Sequence, residues 1–469
     1  MNHNQEISRY IDIAKKYFTF NKELPNLKAI FVPHAGFQFS GLCAATAYYP
    51  LMQSKNNIKG VILLCTHHFG KRTDQVITIK KVVDMPEWIF EDTENYFDRE
   101  HSYTNNMEFI NYVLPGVNVI PFLLGHETPI KEFSEYVIRM INKGFLIVCT
   151  SDLTHYGEKF QNIKQDLKEP IQSYVNRYES ELLDAMVNGN IRKCYNVFTK
   201  YKELTACGEI GIKVLIHISN TLSLHGKVVC HYDSEAITNI KSKSFSDLFT
   251  ISTEYIPTFV RYASIVFSAS NLDNIKSKFD DYYLLSIPKS VIENKIVNDT
   301  NNLNFGNYIY WNKQVNGAFV TVKNKNNDQV RACMGNYESS SKTTMDNCIN
   351  SSYSCVKDAD IRWKNPLKMI ELDNLSYEIS ILELKKNWKK YPAIDARKYY
   401  KREDNSGIVL YLPSYKTLAT FLPSVWQEKS EWSIDDLMNK LSEKATGNDN
   451  AWKNDPNALI EVYGTETIE

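Results

Sequence analysis

An α/β domain followed by an α+β domain is the fold class that this chain of 469 residues predicts, and three observations carry the prediction. The length is about three times that of a common single domain, which calls for more than one compact unit. Short apolar runs alternate with helical patterns through the first half, the order that builds a largely parallel sheet with helices on both faces. The second half reads mainly as strands with a few helices. The residue types divide the same way: all ten histidines lie at or before His231, and six of the seven tryptophans lie at or after Trp311. Histidine chemistry therefore belongs to the first half. The polar stretch Ser268 to Asp281 follows the apolar run Ala263 to Phe267 and places the junction near residue 275, giving domains 1–275 and 276–469.

Each element follows from its own pattern. Leu27 to Val32, Gly60 to Leu64, Val117 to Leu124, Gly144 to Val148, Lys227 to Cys230 and Ser264 to Phe267 are apolar runs of strand length. Ile171 to Met186 and Gly208 to Leu222 carry the helical period. In the second half GAFVTVKN, QVRACMG, LSYEISILEL and GIVLYLP read as strands, and Ser341 to Ser354, Leu418 to Gln427 and Ile434 to Lys444 as helices.

Composition narrows the function. The 54 Lys and Arg against 55 Asp and Glu give a net charge of −1, so no global field draws the chain to nucleic acid or to an anionic membrane. The N-terminal MNHNQEISRYIDIAKKYF lacks the apolar segment of a secretory signal, and no apolar run is long enough to span a bilayer. The nine cysteines are an odd count, and Cys65, Cys149 and Cys230 end apolar runs, which fits free thiols in a reducing cytoplasmic compartment. Phosphate-loop, dinucleotide, H-E-x-x-H, G-x-S-x-G and iron–sulfur spacings are absent.

Chemistry-bearing residues follow three of the apolar runs: His34 in PHAG, His67 and His68 after GVILLCT, and Ser151 to His155 after GFLIVCT. In open α/β sheets ligands bind beyond the carboxyl ends of the strands, so these positions are expected to meet. Two imidazoles at separate strand ends plus a third donor would make a metal site with open positions, and His34 and His67 are the leading pair. Asp152 and His155 are three apart and would share a face if a helix starts there, which suits a general acid or base; the alternative is a helix cap and a packed imidazole. Cys207 in TACGEIG precedes a helical pattern whose N-terminus would favour its thiolate, whereas a buried small hydrophobe is the plainer reading. Arg331 and Cys333 in VRACMG could bind an anion or could simply end a strand.

Taken in order, VPHAGFQFSG, LLCTHH, REHSYTNNMEFINYVLP, VIPFLLG, TSDLTHYG and TACGEIG resemble the Memo family over about residues 25 to 268. That family's fold resembles the class III extradiol dioxygenases (LigB-like). GAFVTVKN, VRACMG, LSYEISILE and TFLPSVW resemble the AMMECR domain over about 280 to 469. The pairing is similar to the AmmeMemoRadiSam system, with its proteins B and A fused, and implies a radical SAM protein as partner. Carried over by position, the resemblance implies His34, His67 and Cys207 as metal ligands, His155 with Asp152 in the place of the acid/base histidine, and His101 near the same pocket. It implies Fe(II); the sulfur of Cys207, standing where the dioxygenases use a carboxylate, makes copper a rival, and zinc fits the same donors. The expected activity is a non-haem metal-dependent oxidoreductase acting on a small aromatic or phenolic substrate. A non-catalytic metal-binding or assembly module and a zinc-dependent hydrolase are the alternatives.

Overall fold

The computed structural model of the protein describes residues 3–20, 26–54, 58–68, 75–79, 84–164, 171–234, 258–270, 272, 275–298, 317–337 and 344–469. The chain forms two compact units, and among the described residues the boundary between them falls between Tyr282 and Tyr283. The first unit runs past residue 275 because its early strand β1 (Phe18–Phe20) pairs with a late one at Ile275–Ser277.

The further strands of the first unit are β2 (Leu27–Val32), β3 (Gly60–Thr66), β4 (Val76–Thr78), β5 (Ile89–Glu91), β6 (Val119–Leu124), β7 (Phe145–Thr150), β8 (His155–Tyr156), β9 (His225–Asp233), β10 (Phe259–Ser268) and β11 (Ile275–Ser277). All but β1 and β11 belong to one nine-stranded sheet of order β5-β4-β6-β3-β7-β2-β10-β8, with β9 also on β10. The centre, β6-β3-β7-β2, is parallel. The largely parallel sheet expected from sequence is in fact mixed, because β10 runs antiparallel to β2, β8 and β9, and β4 antiparallel to β6.

Helices cover both faces. One layer is α1 (His3–Tyr17), α2 (Phe37–Ser54), the short α3 (Tyr96–Arg99) and α4 (His101–Val113); the other is α5 (Ile130–Ile141), α6 (Ile171–Val187), α7 (Ile191–Lys200) and α8 (Glu209–Thr221). Alternation along the strands feeds both layers: Ala29, Phe31, Ile62, Leu64, Ile147 and Cys149 join the core under α5 to α8, and their neighbours Ile30, Val32, Val61 and Leu63 are buried on the opposite face. No helix among the described residues is long and apolar enough to cross a membrane. All nine cysteines are free of disulfides.

The boundary between the units falls inside α9 (Lys278–Asn298). Beyond it the second unit holds two four-stranded sheets. Strands β12 (Ala318–Asn324), β13 (Val330–Asn336) and β14 (Leu375–Leu382) form the first with β19 (Thr465–Ile468), in the order β13-β12-β14-β19. Strands β15 (Lys389–Pro392), β16 (Gly407–Leu412), β17 (Thr417–Phe421) and β18 (Leu459–Tyr463) form the second, in the order β15-β18-β16-β17. Helix α10 (Thr344–Ile361) packs on β12 and β13, and residues 341–343 of the expected helix lie outside the described residues. The short helices α11 (Ala396–Tyr399) and α12 (Pro423–Glu428) precede α13 (Ile434–Thr446) and α14 (Ala451–Asn454). The expected helix over Leu418 to Gln427 is corrected: residues through Phe421 pair with β16, and the helix starts only at Pro423. Proline at a first helical position lacks an N–H that the helix would not use.

Candidate metal centre

Three neighbouring parallel strands set the site. β2, β7 and β3 lie side by side, Val32 opposite Thr150 and Leu64 opposite Cys149, so the chain leaves the sheet on one edge at His34, at His67–His68 and at Ser151–Asp152. His34, His68 and Cys207 place one ligand atom each within 4.8 Å of one another. Cys207 Sγ lies 3.1 Å from Nε2 of His34.

Each donor is held from behind. His34 is fully buried and its Nδ1 lies 2.8 Å from the Thr150 hydroxyl, so Nε2 is the nitrogen turned to the sulfur. The Asp152 carboxylate accepts from the backbone N–H of His34 at 2.8 Å and of Ala35 at 3.3 Å, tying the PHAG turn to the end of β7. Glu100, buried, accepts from the backbone N–H of His68 at 2.7 Å and lies 2.6 Å from His68 Nδ1, which assigns the lone pair to Nε2. Cys207 is brought in by Gly208, whose N–H donates to the Ser151 hydroxyl at 2.8 Å. A Cβ at position 208 would stand 2.6 Å from Ser151 Cβ and 2.7 Å from the Thr150 carbonyl oxygen, so only glycine lets the loop come this close.

The electrostatics follow from burial. Desolvation, and then the imidazoles of His68, His101 and His155, hold His34 well below its ordinary pKa, so it is a neutral donor at pH 7. Burial, and then the charge of Asp152, push the Cys207 thiol up to about 12. The thiolate expected from a helix N-terminus is thus overruled in the ion-free protein. The Asp152 N–H, 3.3 Å from the sulfur, and the buried Thr66 hydroxyl oppose that rise without reversing it. A cation would reverse it, because a bound metal deprotonates a coordinating thiol.

The Memo-like protein family matches residues 1–250, more than half of the chain. The chain belongs to the Memo family. The AMMECR1 family matches residues 285–468, so a Memo-like unit is followed by an AMMECR1 unit. Among curated relatives, a MEMO1 family protein of Methanobrevibacter smithii is 27% identical over 195 residues, covering 35% of this chain and 66% of that protein. One from Metallosphaera sedula is 29% identical over 237 residues, covering 45% and 78%. An uncharacterized protein from Pyrococcus horikoshii, solved by crystallography, is 18% identical and covers 39% of this chain and 88% of its own, with a TM-score of 0.33.

Within the Memo unit the expected site residues fall as follows. His34 and Cys207 meet as expected, but the strand-end pair contributes its second member: His68 converges with them, whereas the ring of His67 packs edge-on against Tyr96 at 5.2 Å. A helix that would put Asp152 and His155 on one face is not formed, since residues 151–154 are irregular and His155 opens β8. Asp152 serves the backbone of His34 and Ala35, and the His155 ring is set by backbone carbonyls, its Nδ1 lying 3.0 Å from the oxygen of Leu153 and 3.3 Å from that of Thr205. His101 stacks on His68 with centroids 4.6 Å apart and meets His34 edge-on at 5.1 Å. Glu100, Thr150 and Gly208 were missed as supporting residues; the Glu-His step in REHSY and the glycine after Cys207 were the available signals. In the second unit Arg331 is committed to structure, with Nη2 at 2.9 Å and Nε at 3.2 Å from the Glu371 carboxylate and both Nη atoms at 3.2 Å from the Asn365 carbonyl oxygen.

Proposed function

We propose that the Memo unit is a metal-dependent oxidoreductase of the extradiol-dioxygenase kind, acting on a small aromatic or phenolic molecule. The observation that carries this reading is the meeting of His34, His68 and Cys207 at the carboxyl edge of the parallel strands. Two imidazole nitrogens and a sulfur suit iron, copper or zinc and disfavour magnesium or calcium. Bound there, such an ion would supply Lewis-acid and redox chemistry.

The protein's own groups do the rest. Thr150 and Glu100 orient the two imidazoles, and Asp152 fixes the turn that carries the first of them. His155, with Nδ1 directed at carbonyl oxygens, offers Nε2 as the atom that takes a phenolic proton and returns it, a role worth about 10²–10⁴ in rate. The ring of His101, stacked on His68, offers an aromatic substrate an edge to pack on.

Elemental analysis of protein prepared without oxygen tests the centre. About one iron, copper or zinc per chain is expected, lost in His34→Ala, His68→Ala and Cys207→Ala and kept in His67→Ala. Full retention in the first three variants would end the metal reading. With the metal in place, oxygen uptake with a catechol is expected and should fall about 10²-fold or more in His155→Gln; a metal-loaded protein that consumes no oxygen with any catechol excludes the dioxygenase chemistry while leaving the centre.

A further inference from the structure

The second unit contains a cavity of about 230 Å³ that the metal reading does not use. Its floor is one face of the β13-β12-β14 sheet. Along β12, Ala318, Val320 and Val322 are fully buried, and α10 bonds to this strand through Ser351 and Cys355. The alternate residues Phe319, Thr321 and Lys323 line the cavity instead. Cys333 and Glu378 stand opposite Thr321 in register, making a row of thiol, hydroxyl and carboxylate across three strands. The roof comes from Phe421 on β17, from Leu422 and α12, and from Lys444 on α13.

The polar groups around this space are unevenly satisfied. Lys323 and Glu378 close on each other at 2.7 Å, and the Thr321 hydroxyl donates to Cys333 Sγ at 3.3 Å. Asp358 is taken up behind the floor, accepting from the Cys333 N–H, Arg362 Nη2 and the Trp363 indole at 3.0, 2.7 and 3.2 Å. Lys444 is different: exposed as a residue, it turns its ammonium onto the Thr420 carbonyl at 2.8 Å and over the Phe421 ring at 4.9 Å, and no carboxylate among the described residues pairs with it. Arg362 and Lys444 both oppose the burial that raises the Cys333 thiol, and Arg362 adds to the burial that lowers the Lys444 ammonium, so the two cations share one neighbourhood. With Arg362 already tied to Asp358, Lys444 leaves one unbalanced positive charge beside a neutral thiol, under an apolar roof, which suits a single negative charge attached to an apolar body. A doubly charged phosphate would lose more hydration than this lining returns. Glu428 lines the exposed side, where it would turn away a second acidic group.

We propose that this cleft binds a small monocarboxylate with an aromatic or aliphatic body, its carboxylate between Arg362 and Lys444 beside Cys333 and its body against Phe319, Phe421 and Leu422. Calorimetric titration of the metal-stripped full chain with phenylacetate tests it, with phenethylamine as the cationic counterpart. Saturable binding of phenylacetate is expected, about tenfold weaker in Lys444→Gln, and phenethylamine at least tenfold weaker in the unaltered chain. Ser424→Trp, which fills the cleft while leaving both cations, should abolish binding. Arg362 also ties β13 to α10, so the exposed Lys444 is the discriminating position. Absence of saturable phenylacetate binding, affinity unchanged in Lys444→Gln, or equal affinity for the amine would each overturn the proposal.

Discussion

Cys207 and Cys333 are two partly buried thiols in one chain, both raised by burial, and they stand in opposite company. Around Cys207 the nearest groups are imidazoles that present lone pairs and a carboxylate that is already committed to a backbone turn. Around Cys333 the Thr321 hydroxyl donates to the sulfur, Asp358 accepts from the backbone N–H, and Arg362 and Lys444 bring positive charge. The first environment asks for a cation and the second for an anion, although the residue at the centre is the same. Placement differs as well. Cys207 meets strand ends, where loops can converge from several strands; Cys333 lies on a sheet face, where the pleat alone decides which residues share its side.

Breaking each environment should leave the other intact. The largest effect is expected for Asp358→Ala, which removes the acceptor of three donors behind Cys333 and should cost the second unit about 3 kcal/mol. Six of the seven tryptophans belong to the second half, so urea unfolding followed by tryptophan fluorescence reads mainly this unit. An unchanged midpoint there, or a lost metal in the first unit, contradicts the separation. Next comes Gly208→Ala. The added methyl meets Ser151 and the Thr150 carbonyl, so overpacking of about 1–3 kcal/mol and displacement of Cys207 are expected together, read as lost metal with normal phenylacetate binding. Glu100→Gln is milder: it keeps the shape but weakens the grip on His68 Nδ1, and metal affinity should drop about 10–100-fold. A Glu100→Gln protein with full affinity would show that His68 is oriented by packing alone.

Much of this was legible from sequence, and the failures have physical causes. Strand ends followed by His34 and by Ser151–Asp152 were visible because a buried parallel strand is a continuous apolar run and the next polar residue marks its exit. The choice between His67 and His68 was not visible, since it depends on how the chain leaves β3 at Thr66 and on a carboxylate from residue 100, far along the chain. The antiparallel run of β10 was hidden for a similar reason: pairing direction is a property of neighbours, and an apolar run carries no arrow. The strand over Leu418 to Phe421 was within reach, because Pro423 disfavours helix at the residue before it. The role of Arg331 was not, as its fate turned on Glu371, which no local pattern links to it.

The smallest effect sharpens the contrast most, because it needs no substitution. All ten histidines lie in the first half and none in residues 283–469, so acidification from pH 7 to 5 titrates imidazoles in one unit only. Burial holds His34 well below its ordinary value, and burial followed by the charge of His68 lowers His101. A histidine whose folded pKa is depressed takes up its proton more readily when unfolded, so the stability it permits is complete above about pH 6.5 and is lost as pH falls toward the folded pKa. Metal-free protein should therefore lose about 1–2 kcal/mol in the first unit between pH 6.5 and 5, while the second unit changes little. Hydrogen exchange read by mass spectrometry separates the two, since each peptide reports its own unit. Faster exchange confined to the strands around His34 is the expected pattern; equal acceleration in both units would mean that carboxylates, which both share, govern the acid response instead.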